Sequence, residues 1–502
     1  MLGSCSKRES TASAPQSLRI AQRNEPATLD PQLATLPDEF FIIRALSEGL
    51  LLPNPDGGRP LPGLAEHPES SADGLTWSFF IRENAKWSNG DPVTAQDFVY
   101  TIRRALTRST AAPKVSLFFP IRNARAFYRG ELADFGSVGV AASDARRLVI
   151  TLEHPQPDFA ALVASGPWIP VHAATVERLG ASWTKPGQFV GNGPFILKEW
   201  SPNRRIVVQK NPGYWNAPAI RLETIQFLAF DSSDTEERTF RAGQLDVTMT
   251  VPFAKLESYR RNSPELVQTV PIYETRYLTL NVNRPPLNDP RVRRALSLAL
   301  DRQVLVEKVL KGGQKAAFSF VPPGLGGYTP ETRLHEDSAE ARRLLAEAGF
   351  PGGKGFPSLE LTSWVATSNL VPETLQERWR AELGITVSLV QREARTHLAA
   401  LAAGEYDIAV AAAIPDYDGA LNLLEHFTSS DASNYPHWSN PLYDKLTADH
   451  ALPEAEKTLL GELPVIPLYF NAKNLLRHPA VREWREDALW TRYYHHVYLD
   501  EK

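Results

Sequence analysis

Asp416 stands where a side chain could do chemistry. It lies in Ala413-Ile414-Pro415-Asp416-Tyr417-Asp418, directly after residues 406–412, which read as a strand. Ligands of open α/β sheets collect beyond the carboxyl ends of the strands, so a carboxylate here is a candidate binding group. The competing reading is that Asp-Tyr-Asp is an ordinary loop turn. Reactive chemistry has less support. No G-x-S-x-G, H-E-x-x-H or paired cysteines occur, which leaves hydrolytic and redox readings without a nucleophile or a metal. His495 and His496 adjoin in an aromatic strand, so they face opposite sides and cannot chelate one ion together. The run Gly349-Phe350-Pro351-Gly352-Gly353-Lys354-Gly355 has the wrong spacing for a phosphate loop, lacks Ser/Thr after the lysine and follows a helix. No metal and no cofactor are expected.

Composition narrows the class. At 502 residues the chain should hold two or three cores, and 43% apolar with 22% charged residues is an ordinary globular balance. A net charge of −4 argues against a nucleic-acid partner, which needs a basic footprint. No window approaches eighteen uninterrupted apolar residues, so no segment reads as a membrane span. With a single cysteine, Cys5, no intramolecular disulfide can form. Eleven tryptophans and many carboxylates could line a sugar cleft, which keeps a carbohydrate-acting enzyme as the alternative from a different class.

The elements that would position Asp416 are legible in outline. Residues 277–302 read as a strand, a stop and a helix: Leu278, Leu280 and Val282 alternate with polar or aromatic neighbours, and Pro285-Pro286 ends the pairing. Asp289-Pro290 then starts a helix with Val292, Ala295, Leu296 and Ala299 on one face. Downstream, helices over 338–348, 372–383 and 396–403 alternate with strands over 359–364, 385–390 and 406–412, which implies parallel pairing and an independent lobe. Upstream, 18–21 is a short strand, 40–52 has helical spacing, and Thr94 with Asp97 forms a variant capping box on a helix running to about residue 107.

Together these stretches resemble the family-5 extracytoplasmic solute-binding proteins of ABC importers. The likeness rests on the asparagine-bearing strand, the proline break and Asp289-Pro290-Arg291-Val292-Arg293-Arg294-Ala295-Leu296. It rests also on the loop Asn24-Glu25-Pro26-Ala27-Thr28-Leu29-Asp30-Pro31, Gly191-Asn192-Gly193-Pro194-Phe195, Asn211-Pro212-Gly213-Tyr214-Trp215 and Asn440-Pro441-Leu442-Tyr443-Asp444. The resemblance covers nearly the whole chain. It implies an α/β, periplasmic binding protein-like II fold: a two-lobed Venus-flytrap with an additional domain, mixed sheets and two interlobe crossings, near Pro271 and near Pro464. The expected divisions are a tether over 1–17, a discontinuous first lobe over 18–47, 185–275 and 465–502, an extra lobe over 48–184, and a third lobe over 276–464.

The resemblance also assigns roles. Asp416 would pair with the α-ammonium of a peptide, and Ala412, Ala413 and Ile414 would offer a strand edge to its backbone. Ala34, Thr35 and Leu36 would face them from the first lobe, Tyr417 is a further candidate contact, and Trp438 would either wall the pocket or pack in a core. Such pairing is β-augmentation, which tolerates varied side chains. Ala394, Leu401 and Val410 stand where oligopeptide receptors carry tryptophan and arginines, so another cation takes over, or the ligand has no free C-terminus of that kind, or its pocket is apolar. A same-fold receptor for a non-peptide solute is the alternative within the class. Residues 450–462 are shorter than the family norm. Leu2-Gly3-Ser4-Cys5 resembles a lipobox, so Cys5 would be acylated and the protein tethered outside the cytoplasmic membrane. The implied partners are a peptide and an ABC permease with its ATPase, with the protein itself a monomer and not an enzyme.

Overall fold

The computed structural model describes residues 16–23, 25–364 and 370–500. Cys5, the 1–17 tether up to residue 15, and Asn24 lie outside these, so the lipobox reading stays an expectation.

The first lobe is built on a four-stranded sheet in the order Ser17–Gln22, Thr224–Ala229, Arg205–Lys210, Phe195–Ser201. Against it packs the helix Pro37–Leu46, whose Phe41, Ile42, Ala45 and Leu46 join Leu18 and Ile20 in one core. The helix expected over 40–52 therefore begins and ends earlier. Pro37 is preset for a first helical turn, and the chain leaves the helix for a short strand, Leu51–Leu52.

The second lobe carries an antiparallel sheet in the order Ala65–Ser70, Thr76–Ile81, Arg147–Thr151, Val140–Ala142. Its helix Ala95–Leu106 starts at the anticipated capping box: the Thr94 N–H donates to the Asp97 carboxylate at 2.8 Å, and Phe98, Ile102 and Ala105 face inward.

The third lobe has six strands in the order Lys315–Ala316, Val465–Leu476, Val267–Leu280, Ile408–Ala413, Leu359–Trp364, Val387–Arg392. Pairing is mixed. Leu359–Trp364 runs parallel to both neighbours, as strand–helix–strand alternation requires, whereas Val267–Leu280 is antiparallel to both of its own. That strand is longer than the stretch read from residue 277. Its Leu278 and Leu280 enter one core and Tyr277 the opposite one, and the Asp289 carboxylate caps the helix Pro290–Leu298 by accepting the Arg291 N–H at 2.8 Å. The shortened segment near 450 forms the helix Leu452–Glu462, which buries Leu459 and Leu460.

Val267–Leu280 and Val465–Leu476 are the two crossings. Their ladder slips between Pro271 and Thr275, where the partner residues are Ala472 and Phe470. The second crossing is thus further along than Pro464. Val465, Ile466, Leu468 and Tyr469 pack in third-lobe cores, and Leu475 and Leu476 pack in the first. The boundary read at 464/465 falls at the start of this strand, whose first residues still pack in third-lobe cores.

Candidate interlobe binding site

All three lobes meet at a cavity of about 460 Å³, within the range of roughly 300–1,000 Å³ usual for small-ligand sites. Asp416, Ala412, Ile414 and Tyr417 reach it from the third lobe, Thr35, Leu36 and Arg44 from the first, and Lys114 from the second.

The Asp416 loop is held from both sides. The Asp416 N–H donates to Asn422 Oδ1 at 2.7 Å, and the Asp418 carboxylate accepts the Gly326 N–H at 2.6 Å. The Asp416 carboxylate itself pairs with the Lys114 ammonium across the cleft. Tyr417 touches the cavity edge, but its ring packs into the second lobe's core against Asp158. Burial, and then the Asp158 charge, push its hydroxyl pKa far up, and burial likewise raises the Asp158 carboxyl. Gly419 must be glycine here, since a β-carbon would collide with the Asp158 carboxylate and the Tyr417 ring.

Among the described residues, the backbone leading to Asp416 has an uncovered side. Leu280, opposite Ile408, donates its N–H away from that pair, to Pro464 on the other flank at 3.1 Å. By antiparallel alternation, Ala409 and Ala411 bond to the Val267–Leu280 strand, while the N–H and C=O of Val410 and Ala412 point away from it. The Val410 carbonyl accordingly accepts from His397 Nε2 at 3.0 Å. Leu359–Trp364 covers that flank only at Ile408 and Ala409. Among the described residues no strand covers that flank at Ala412, which lines the cavity.

The first-lobe side differs from expectation. Residues 34–36 form no strand. The Ala34 N–H goes to the Asp30 carbonyl at 2.9 Å, and the Thr35 and Leu36 N–H groups go to the Glu39 carboxylate at 2.8 and 3.0 Å. None of these donors remains for a guest. Ala34 lies in the first-lobe core and Ala413 in a third-lobe core, as alternation about Ala412 and Ile414 requires. Trp438 is also displaced from the site: its indole donates to Glu462 at 2.6 Å and packs edge-on against Tyr443 in the core, whereas its neighbour Tyr435 does line the cavity.

Ala394, Leu401 and Val410 do not face the cavity. Leu401 and Val410 are buried in cores and Ala394 is exposed at the start of the helix Ala394–Ala403. Their lack of charge thus leaves open what the cleft can hold. The cations that do face it are Arg44 and Lys114, and no local pattern announced either. Arg44 follows the apolar face of a helix; Lys114 belongs to the second lobe, from which no candidate site residue was read. Arg44 donates to the Ala164 carbonyl at 3.1 Å, forms no ion pair among the described residues, and has its pKa lowered chiefly by burial.

Residues 59–435 match the family model of bacterial extracellular solute-binding proteins, family 5. The chain belongs to that family. This solute-binding protein is 33% identical to the Escherichia coli periplasmic murein peptide-binding protein MppA over 94% of this chain and 91% of the relative. It is 33% identical to the probable deoxycholate-binding periplasmic protein YgiS of E. coli, covering 94% and 91%. The structure of MppA superposes with a TM-score of 0.87 over 97% of this chain and 99% of the other. Its unliganded open form gives 0.78 at the same identity, so the lobes here are set less like that open form. Haemophilus influenzae OppA in complex with the peptide RPPGFSPFR matches at 0.85, with 30% identity and coverage of 97% and 99%. The fold is the type II periplasmic-binding-protein fold expected for the family. Among the described residues no helix is long and apolar enough to cross a membrane, and no group of three His, Cys, Asp or Glu is disposed to hold a metal.

Proposed function

We propose that this protein captures peptides between its lobes, outside the cytoplasmic membrane, and presents them to an ABC permease and its ATPase. The observation that carries the reading is the juxtaposition, in one interlobe cavity, of a carboxylate, Asp416, and a strand edge, Ala412, that has no strand partner on its outer flank among the described residues. A peptide's amino end matches the first and its backbone the second. The reading is one of binding, with no chemical step, and of a monomer tethered through Cys5. Lobe closure would be a population shift that ligand stabilises.

The test is calorimetry and thermal shift with free-amine and N-acetylated tripeptides. Binding that needs the free amine, and that Asp416→Asn removes, supports the reading; equal binding of both peptides removes Asp416 from the site. A second reading, a receptor for an amphipathic non-peptide solute, is favoured by the equal identity to YgiS. Stabilisation by deoxycholate and by no peptide would replace the first with it. Turnover of oligosaccharides would overturn both.

A further inference from the structure

The Lys114–Asp416 pair joins side chains 302 residues apart, from the second and third lobes, each about a quarter exposed at 24% and 22%. The carboxylate read as the holder of a ligand's ammonium thus already faces a cation on the opposite wall. Asp416 is the one carboxylate bonded to Lys114 among the described residues. Asp418 accepts from Gly326, and Asp487 accepts from Tyr493, Leu489 and Thr491. Beyond Asp416, the Lys114 ammonium has the Phe40 ring 5.9 Å away, a weak attraction that cannot replace a counter-ion. A guest whose ammonium takes Asp416 leaves Lys114 beside a like charge in a narrowing cleft. Water is being excluded there and unpaired charge becomes costly. A guest that carries a carboxylate close to its ammonium satisfies both walls at once.

We propose that Lys114 is a specificity-determining residue, selecting ligands with an anionic group beside the free amine, as in a peptide whose first residue is aspartate or glutamate. The inference rests on Asp416 being the ammonium site. Lys114 acts by attraction toward the acidic residue and by repulsion of the same ligand without it, the two halves of any specificity device.

The experiment is titration calorimetry on the whole protein with Glu-Ala-Ala, Gln-Ala-Ala and N-acetyl-Glu-Ala-Ala. Wild type should prefer Glu-Ala-Ala over Gln-Ala-Ala by roughly tenfold or more. Lys114→Gln should weaken Glu-Ala-Ala, tighten Gln-Ala-Ala and bring their ratio near one, and Lys114→Arg should restore the preference. An unfolded Lys114→Gln variant would show in its thermal midpoint, and Lys114→Arg then carries the test by keeping the ratio. A wild-type ratio near one, or a preference that survives Lys114→Gln, overturns the role of Lys114. If N-acetylation and Asp416→Asn leave affinity unchanged, the ammonium reading fails instead.

Discussion

The two walls of the cleft have opposite backbone chemistry. On the third-lobe wall the strand Ile408–Ala413 is paired on one flank and, among the described residues, uncovered at Ala412 on the other, so main-chain groups there can meet a guest. On the first-lobe wall the N–H groups of residues 34–36 are consumed by Asp30 and Glu39. One wall offers a template and the other a preformed, rigid surface. An extended guest would add as a strand on one side only and meet the other through side chains and carbonyls. The first-lobe wall is stiffened further by a buried network, in which Glu486 joins Lys473 at 2.8 Å and Arg492 at 2.6 Å beside the cavity-lining residues 487–491.

The largest effect should come from Asp416→Asn, which removes the charge but keeps the shape. Affinity for a free-amine tripeptide should fall by about 2–5 kcal/mol by calorimetry, as expected for truncating a hydrogen-bonded charge pair. An unchanged affinity would break the comparison, because the third-lobe wall would then hold nothing. Glu39→Gln should lower stability by about 1–3 kcal/mol in denaturant titration, since one carboxylate serves three N–H groups, those of Ala27, Thr35 and Leu36.

The Lys473 network gives a pH signature. Burial above all pushes the Lys473 ammonium down to about 8. Between that pH and the unfolded value the unfolded chain binds more protons, so this group's contribution to stability rises with pH. Relative to Lys473→Met, unfolding free energy should climb by about 1.5 kcal/mol from pH 8 to 9.5. A flat difference would show that Lys473 keeps its charge in the folded protein across this range.

Ala412→Pro should weaken peptide binding by roughly tenfold, with little loss of stability, because proline removes only a donor that points out of the sheet. A large stability loss would mean that the Ala412 N–H is used inside the fold. The smallest effect should be Trp438→Phe, costing about 1 kcal/mol through the lost bond to Glu462 and leaving affinity unchanged.

Much of the scaffold was readable because it is decided locally. The Asp289 cap, the Thr94–Asp97 box and the two-sided alternation of 277–280 are properties of a few adjacent residues, and all appear where their residue types require. Placement in the site was readable only in part. Asp416, Ala412, Ile414, Thr35 and Leu36 were picked out and do line the cavity, while Trp438, Ala34 and Ala413 turn into cores. An aromatic residue near a loop has no local mark that separates a wall from a core. Whether a backbone N–H is free depends on an acceptor such as Glu39, whose reach back across a turn no period reveals.

By itself, the amino-acid sequence determined the order of strands, stops and helices, the α/β class and the loop that carries Asp416, because these follow from φ restrictions, capping and side-chain periodicity over a few residues, whereas the lobed architecture was implied by the family resemblance. Only the tertiary structure decided which groups meet across the cleft. Lys114 opposite Asp416 and Tyr417 against Asp158 arise from contacts between lobes, and such long-range geometry leaves no trace in the neighbouring residues.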